Sequence, residues 1–182
     1  MVIPEHNYTV REKTVIDILN NYNGRIETFL NVGFRQWNDP RIHWWRKICD
    51  ANHIDWKILE IFPNNVEDSI KSGCPKEKIQ LGNILNIEEY SNHDVLLFWH
   101  GPEHIKKDVF LKALPQIESK VNKIVIFGMP LGHEPQGSAH GNPFEVHQSD
   151  WFEQDWKDQG YEVIPIHDHQ AYPHITAYKI LA

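Results

Sequence analysis

The sequence has only two cysteines, Cys49 and Cys74, too few for a disulfide framework, so both are expected as free thiols of a reducing compartment. No apolar run approaches the roughly 18 residues that a membrane-crossing helix needs. The opening residues MVIPEHNYTVREK carry no apolar stretch of secretory type, and a cytoplasmic location is the expectation. Positive charge is the minority sign: 18 Lys+Arg against 25 Asp+Glu give a net charge of −7, which argues against non-specific nucleic-acid binding. Internal repeats, low-complexity tracts and linkers are missing, so one domain over residues 1–182 is expected. There is no HExxH and no paired-cysteine pattern to mark a zinc site. What is present is an ordinary globular composition (41% hydrophobic, 24% charged) with an unusual 12 His and 7 Trp.

Along the chain, apolar strands alternate with amphipathic helices. Thr9 and Glu12 form a capping box for a first helix, with Val15, Ile18, Leu19 and Tyr22 as its apolar stripe and Gly24 as its stop. Residues 26–32 (IETFLNV) read as a buried strand ending at Gly33. Asp39 and Pro40 open a second helix, with Ile42, Trp45, Ile48 and Cys49 inside. Strand 56–61 (WKILEI), helix 65–72, a brief strand 78–81, strand 94–99 (DVLLFW), helix 105–114 and strand 123–127 (KIVIF, ended by Gly128) continue the pattern. Residues 129–148 form a polar connection of unusual length. Ser149 or Asp150, with Glu153, opens a helix that Gly160 closes, and strands 162–166 and 175–181 finish the chain. This pattern predicts an α/β fold: a mainly parallel sheet covered on both faces, its last two strands antiparallel at one edge. Ligands of such sheets bind beyond the carboxyl ends of the strands, which gathers Gly33, Glu60, Gly82, Asn83, His100 and Gly101 around one crevice.

The order of elements and these strand-end residues resemble the class I S-adenosylmethionine-dependent methyltransferases over about residues 9–182. The segment 141–163 (GNPFEVHQSDWFEQDWKDQGYEV) also looks like the stretch before the sixth strand in some members. The resemblance implies a Rossmann-like three-layer sandwich with a seven-stranded sheet, in which a C-terminal antiparallel strand inserts beside the fifth. It implies S-adenosylmethionine as cofactor: Glu60 on the ribose hydroxyls, Gly33 beside the methionine part, Asn83 and Ile84 at the adenine. The first loop, NVGFRQW, departs from the family pattern of an acid followed by three spaced glycines. Asn31 stands at the acid, Arg35 at the second glycine and Trp37 at the third. Such side chains either fill the space of the cofactor's amino-acid end or, for Arg35, bind its carboxylate.

Methyl transfer from a sulfonium asks the protein to align donor and acceptor and sometimes to remove a proton. His100 and Glu103, after the fourth strand, are the candidate catalytic pair, with His104 beside them; the alternative is a hydrogen-bonded loop histidine and the first turn of a helix. Glu145, His147 and Trp151, in and after the long connection, are candidate acceptor contacts, or residues that tie that loop down. His167, Asp168, His169 and His174 have the composition of a first-row metal site, but a solvated turn is the default and no metal is assigned. Most tryptophans are explained by core packing. The sequence therefore reads as a methyltransferase of a small molecule, sugar or lipid precursor. The alternative is a non-catalytic binding or scaffold protein on the same fold, with a protein partner. Oligomeric state is left open.

Overall fold

The computed structural model describes residues 1–35, 37, 43–139, 141–167 and 172–181. Helix α1 (Val10–Asn21) begins as its sequence predicts: the Thr9 hydroxyl accepts from the Glu12 N–H and the Glu12 carboxylate accepts from the Thr9 N–H. It ends earlier than Gly24, because Tyr22 already leaves helical geometry. Then follow β1 (Thr28–Val32), α2 (Trp44–Ala51), β2 (Asp55–Glu60), α3 (Pro63–Lys71), β3 (Ile79–Leu81), β4 (His93–Trp99) and α4 (Lys107–Glu118). The chain closes with β5 (Val121–Pro130), α5 (Glu153–Lys157), β6 (Glu162–Ile166) and β7 (His174–Ile180). The expected start of the second helix at Asp39 and Pro40, with Ile42, lies outside the described residues.

All seven strands join one sheet in the order β3-β2-β1-β4-β5-β7-β6. β7 runs antiparallel to both its neighbours, and the first five strands are parallel. Successive strand residues point to opposite faces, so the strands supply two cores. Phe29, Ile58, Val95, Leu97 and Ile126 meet Ile16, Leu19, Trp45 and Ile48 of α1 and α2 on one side. Leu30, Leu59, Leu96, Val125 and Phe127 meet Phe110, Leu114, Ile117 and Trp156 of α4 and α5 on the other. Each fully buried side chain of this size contributes about 1.5–3 kcal/mol of transfer free energy, so both cores hold the helices to the sheet.

Most other strand and helix ends shift by a residue or two, and three larger differences have a packing cause. β5 does not stop at Gly128: β7 pairs with it from Ile124↔Ile180 to Pro130↔His174. Gly128 sits inside the strand because the Trp99 ring lies over it, and a Cβ there would meet that ring at 2.2 Å. Helix α4 starts at Lys107, not at residue 105, after a 3-10 turn over Pro102–His104. Helix α5 starts at Glu153, not at Ser149 or Asp150. The Asp155 carboxylate takes the Phe152 N–H, while Trp151 makes an antiparallel bridge to Gly132 and Ser149 Oγ donates to the carbonyls of Pro102 and Ile105. Cys49 and Cys74 are buried free thiols. Among the described residues, no helix is long and apolar enough to cross a membrane.

Candidate functional site

A cavity of about 750 Å³ opens beyond the carboxyl ends of β1, β2, β3 and β4, within the size range of small-molecule sites. It sits where the sheet changes direction: β1 has β2 on one side and β4 on the other. Gly33, Arg35, Glu60, Asn83, Ile84, His100, Glu103, Glu145 and His147 all stand in its wall. Trp151 does not. It is fully buried with its ring against Phe110 and Trp156, a packing position in the core under α4 and α5.

At the end of β1 the chain turns with Gly33 at φ +79°, a left-handed conformation that suits glycine. The turn is fixed by the Gly33 N–H on the Leu59 carbonyl and by the Asn31 side-chain amide on the Gly33 carbonyl. Glu60, at the end of β2, is 3% exposed. Its carboxylate accepts from the Phe34 N–H (2.5 Å), the Phe62 N–H (2.8 Å) and the Asn65 amide (3.3 Å). Burial drives its pKa up, those three donors oppose the rise, and the net shift is upward. Glu60 thus ties the first loop to the second. Beyond β3, the Asn83 N–H donates to Glu89 and the Asn83 side chain accepts from the Leu85 N–H, leaving Ile84 buried with its carbonyl on the Tyr90 hydroxyl.

The fourth strand delivers His100 in a left-handed conformation, φ +52°. That is unusual for a residue with a Cβ and is a form of strain that clusters at functional sites. It is held by the His100 N–H on the Gly128 carbonyl, and Gly101 follows because the Phe98 ring occupies the space a Cβ would need. His100 Nδ1 lies 3.2 Å from Glu103 Oε1; the His100 side chain is one-third exposed and the Glu103 side chain almost fully buried. The Glu103 carbonyl accepts from the N–H groups of Gln148 and Ser149, and the Gln148 amide donates to the His104 carbonyl. These bonds bring the 145–149 segment against the 102–104 turn.

No family model and no curated protein matches this sequence. Solved structures match its fold. PH0226 protein from Pyrococcus horikoshii OT3 has a TM-score of 0.63 at 10% identity, over 94% of this chain and 90% of its own. An S-adenosylmethionine-dependent methyltransferase from Clostridium acetobutylicum ATCC 824 has a TM-score of 0.60 at 10% identity, over 91% and 88%. The mitomycin 7-O-methyltransferase MmcR has 0.55 at 13% identity over 86% of this chain, which spans about half (49%) of the MmcR chain.

The fold is that of the class I methyltransferases. Within that fold, the altered first loop is accommodated in two ways. Trp37 turns away from the cavity, with its ring against Trp56 and the Arg46 guanidinium 4.4 Å above it, and so belongs to the α2 side of the core. Arg35 does line the cavity. Arg11 and Tyr172 also stand in the wall, with no motif in the sequence to mark them. The Arg11 guanidinium donates to the Tyr172 carbonyl and sits 4.8 Å from the centre of its ring, bringing the start of α1 against the segment before β7. The two are 161 positions apart, and no local pattern announces the pairing. Asp168 and His169 of the histidine-rich turn lie outside the described residues, and so does His140 of the long loop.

Proposed function

We propose that this chain is an S-adenosylmethionine-dependent methyltransferase that acts on a small-molecule acceptor. The observation that carries this reading is the switch-point cavity, lined by Gly33, Glu60, Asn83 and Ile84 on one side and by His100 and Glu103 on the other. When bound, the donor supplies a methyl group already activated on a sulfonium. The wall fits such a group: Gly33 places bare backbone at the first turn, and a Cβ there would have Phe98 at 3.7 Å as its nearest neighbour. A carboxylate offers about four acceptor positions. Three on Glu60 are taken by Phe34, Phe62 and Asn65, so one remains for a ribose hydroxyl. Asn83 and Ile84 offer an amide and an apolar face to a planar base. Arg35 supplies a positive charge for a carboxylate.

On the acceptor side, His100 is the base. The Glu103 carboxylate accepts from His100 Nδ1–H, which leaves Nε2 with its lone pair to take a proton from an acceptor hydroxyl or amine. Glu103 acts through His100 and is a positioning residue. Glu145 and His147 stand on the facing loop in the cavity wall, where they would touch the acceptor, a sugar, lipid precursor or other small molecule.

Calorimetric titration with S-adenosylhomocysteine is the test. The wild-type chain binds it, and Glu60→Gln weakens binding at least about tenfold, about 1.4 kcal/mol at the ribose. The titration is made well below the thermal midpoint of the variant, which falls because the Gln NH2 faces a backbone N–H that the carboxylate now accepts from. One observation favours the scaffold reading: three of the four acceptor positions of Glu60 are already used inside the protein. Absence of binding at millimolar ligand would establish that reading and overturn this one. With an acceptor identified by labelled-methyl transfer, His100→Asn, which tolerates positive φ, lowers kcat by about 10²–10⁴-fold and leaves donor affinity unchanged.

A further inference from the structure

We infer that Glu103, His104 and His147 form a binding site for a divalent first-row transition ion in the acceptor wall of the cavity. Each offers one ligand atom, and these atoms lie within 4.8 Å of one another. The two rings are 4.9 Å apart, centre to centre. His104 Nδ1 is 3.3 Å from the Val146 carbonyl, and His147 Nδ1 is bonded to the Glu134 carbonyl. A carbonyl can only accept, so both rings are protonated at Nδ1 and carry the free lone pair on Nε2. This is how ligating histidines are oriented, with the second nitrogen fixed by a backbone oxygen.

The third ligand supplies an independent observation. The Glu103 side chain is 2% exposed. Its Oε1 meets His100, while its Oε2 is fully buried with no hydrogen-bond partner among the described residues. A buried carboxylate oxygen left unpaired carries a desolvation penalty that a cation would remove. The scaffold is rigid as well. Backbone bonds from Gln148 and Ser149 to the Glu103 carbonyl, and from the Gln148 amide to the His104 carbonyl, hold the two segments together across 42 or more positions of sequence.

Two imidazoles and one carboxylate select the chemistry. Magnesium and calcium prefer oxygen ligands, whereas His₂Glu sets suit zinc, iron, cobalt or manganese and leave at least one position open. A tetrahedral ion with bonds of about 2.0–2.1 Å keeps its ligand atoms about 3.4 Å apart, so an ångström or so of side-chain rotation closes the cluster onto an ion. All three residues line the cavity, so the open position faces the acceptor space. If methyl transfer is the activity, an acceptor hydroxyl bound there would have its deprotonated form stabilised. That consequence rests on the methyltransferase reading; the metal site itself does not.

The test uses the full chain stripped of metal with chelator, then titrated with Co²⁺ by calorimetry and visible absorption, and with Zn²⁺ in competition. One equivalent of Co²⁺ binds, Zn²⁺ displaces it and excess Mg²⁺ does not. His104→Ala and His147→Ala each weaken Co²⁺ binding by at least about tenfold, with retained thermal midpoints because both side chains are only partly buried. His167→Ala, in the histidine-rich segment before β7, binds as wild type. Absence of Co²⁺ binding, equal binding in His147→Ala, displacement by Mg²⁺, or loss in His167→Ala would each overturn the assignment. Titration with S-adenosylhomocysteine in the absence of metal reads the donor side separately, so either conclusion can fail without the other.

Discussion

His174 begins β7 with no solvent exposure and with no hydrogen-bond partner for either ring nitrogen among the described residues. Its ring lies 4.7 Å from that of Trp99 and 5.0 Å from that of His100. Burial, together with the neighbouring His100 and Arg11 charges, pushes its pKa down to about 2 from the ordinary 6.5. The folded chain refuses a proton that the unfolded chain accepts, so the stability present above pH 6.5 falls as pH drops toward that lowered value, by about 1.4 kcal/mol per unit. His174→Phe keeps an aromatic ring against Trp99 and removes this dependence on pH. Its urea midpoint relative to wild type should therefore rise between pH 7 and pH 5. A constant difference across that range would show that His174 finds a proton-compatible environment.

At the scale of elements, Asp94 joins the amino-terminal ends of β1, β4 and β5. Its carboxylate accepts from the Glu27 N–H, the Asn122 amide and the Lys123 ammonium at 2.7–3.2 Å, and its own N–H donates to Thr28. Burial raises the Asp94 pKa, but the bond from Lys123 and the two neutral donors outweigh it, and the net shift is downward from 3.8. This stabilisation is complete above that ordinary value and is lost as pH falls through the lowered one. Asp94→Ala should cost about 2–3 kcal/mol at pH 7, with the loss shrinking toward pH 3. Denaturant titration at the two pH values reads this, and equal losses at both would mean that packing rather than charge is responsible. Because Asp94 lies at the opposite end of β4 from His100, ligand affinity should not change.

For the whole molecule, the cavity joins the first loop, the loops after β2, β3 and β4, the long connection and the segment before β7. A ligand that binds there couples to global unfolding. At 100 times its dissociation constant, S-adenosylhomocysteine should stabilise the fold by about 2.7 kcal/mol, roughly 5–10 °C in Tm for a domain of this size. A thermal scan with and without it measures the shift, and a ligand-induced shift reduced to about half in Glu60→Gln at the same concentration, about 1.4 kcal/mol, would assign the effect to this cavity.

The sheet and its helices are legible in the sequence because the period of apolar residues and the local caps fix them. Thr9 with Glu12 marks α1, and the four buried residues Val95, Leu96, Leu97 and Phe98 of β4 read as an unbroken apolar run. The switch-point crevice follows from strand order alone. Other features depend on partners distant in sequence. β5 reaches Pro130 only because β7 lies along it, and Gly128 interrupts nothing because Trp99 needs its surface. Trp151 reads as a candidate acceptor contact and is a core residue, since nothing local shows which side of the Gly132 bridge it takes. Glu103, His104 and His147 are three ordinary polar residues in the sequence; hydrogen bonds between the 102–104 turn and the 145–149 segment make them one cluster. Periodicity and capping are properties of neighbouring residues, and the sequence determined them by itself. The distances between polar side chains from remote loops arise only when the chain packs, and the tertiary structure decided those.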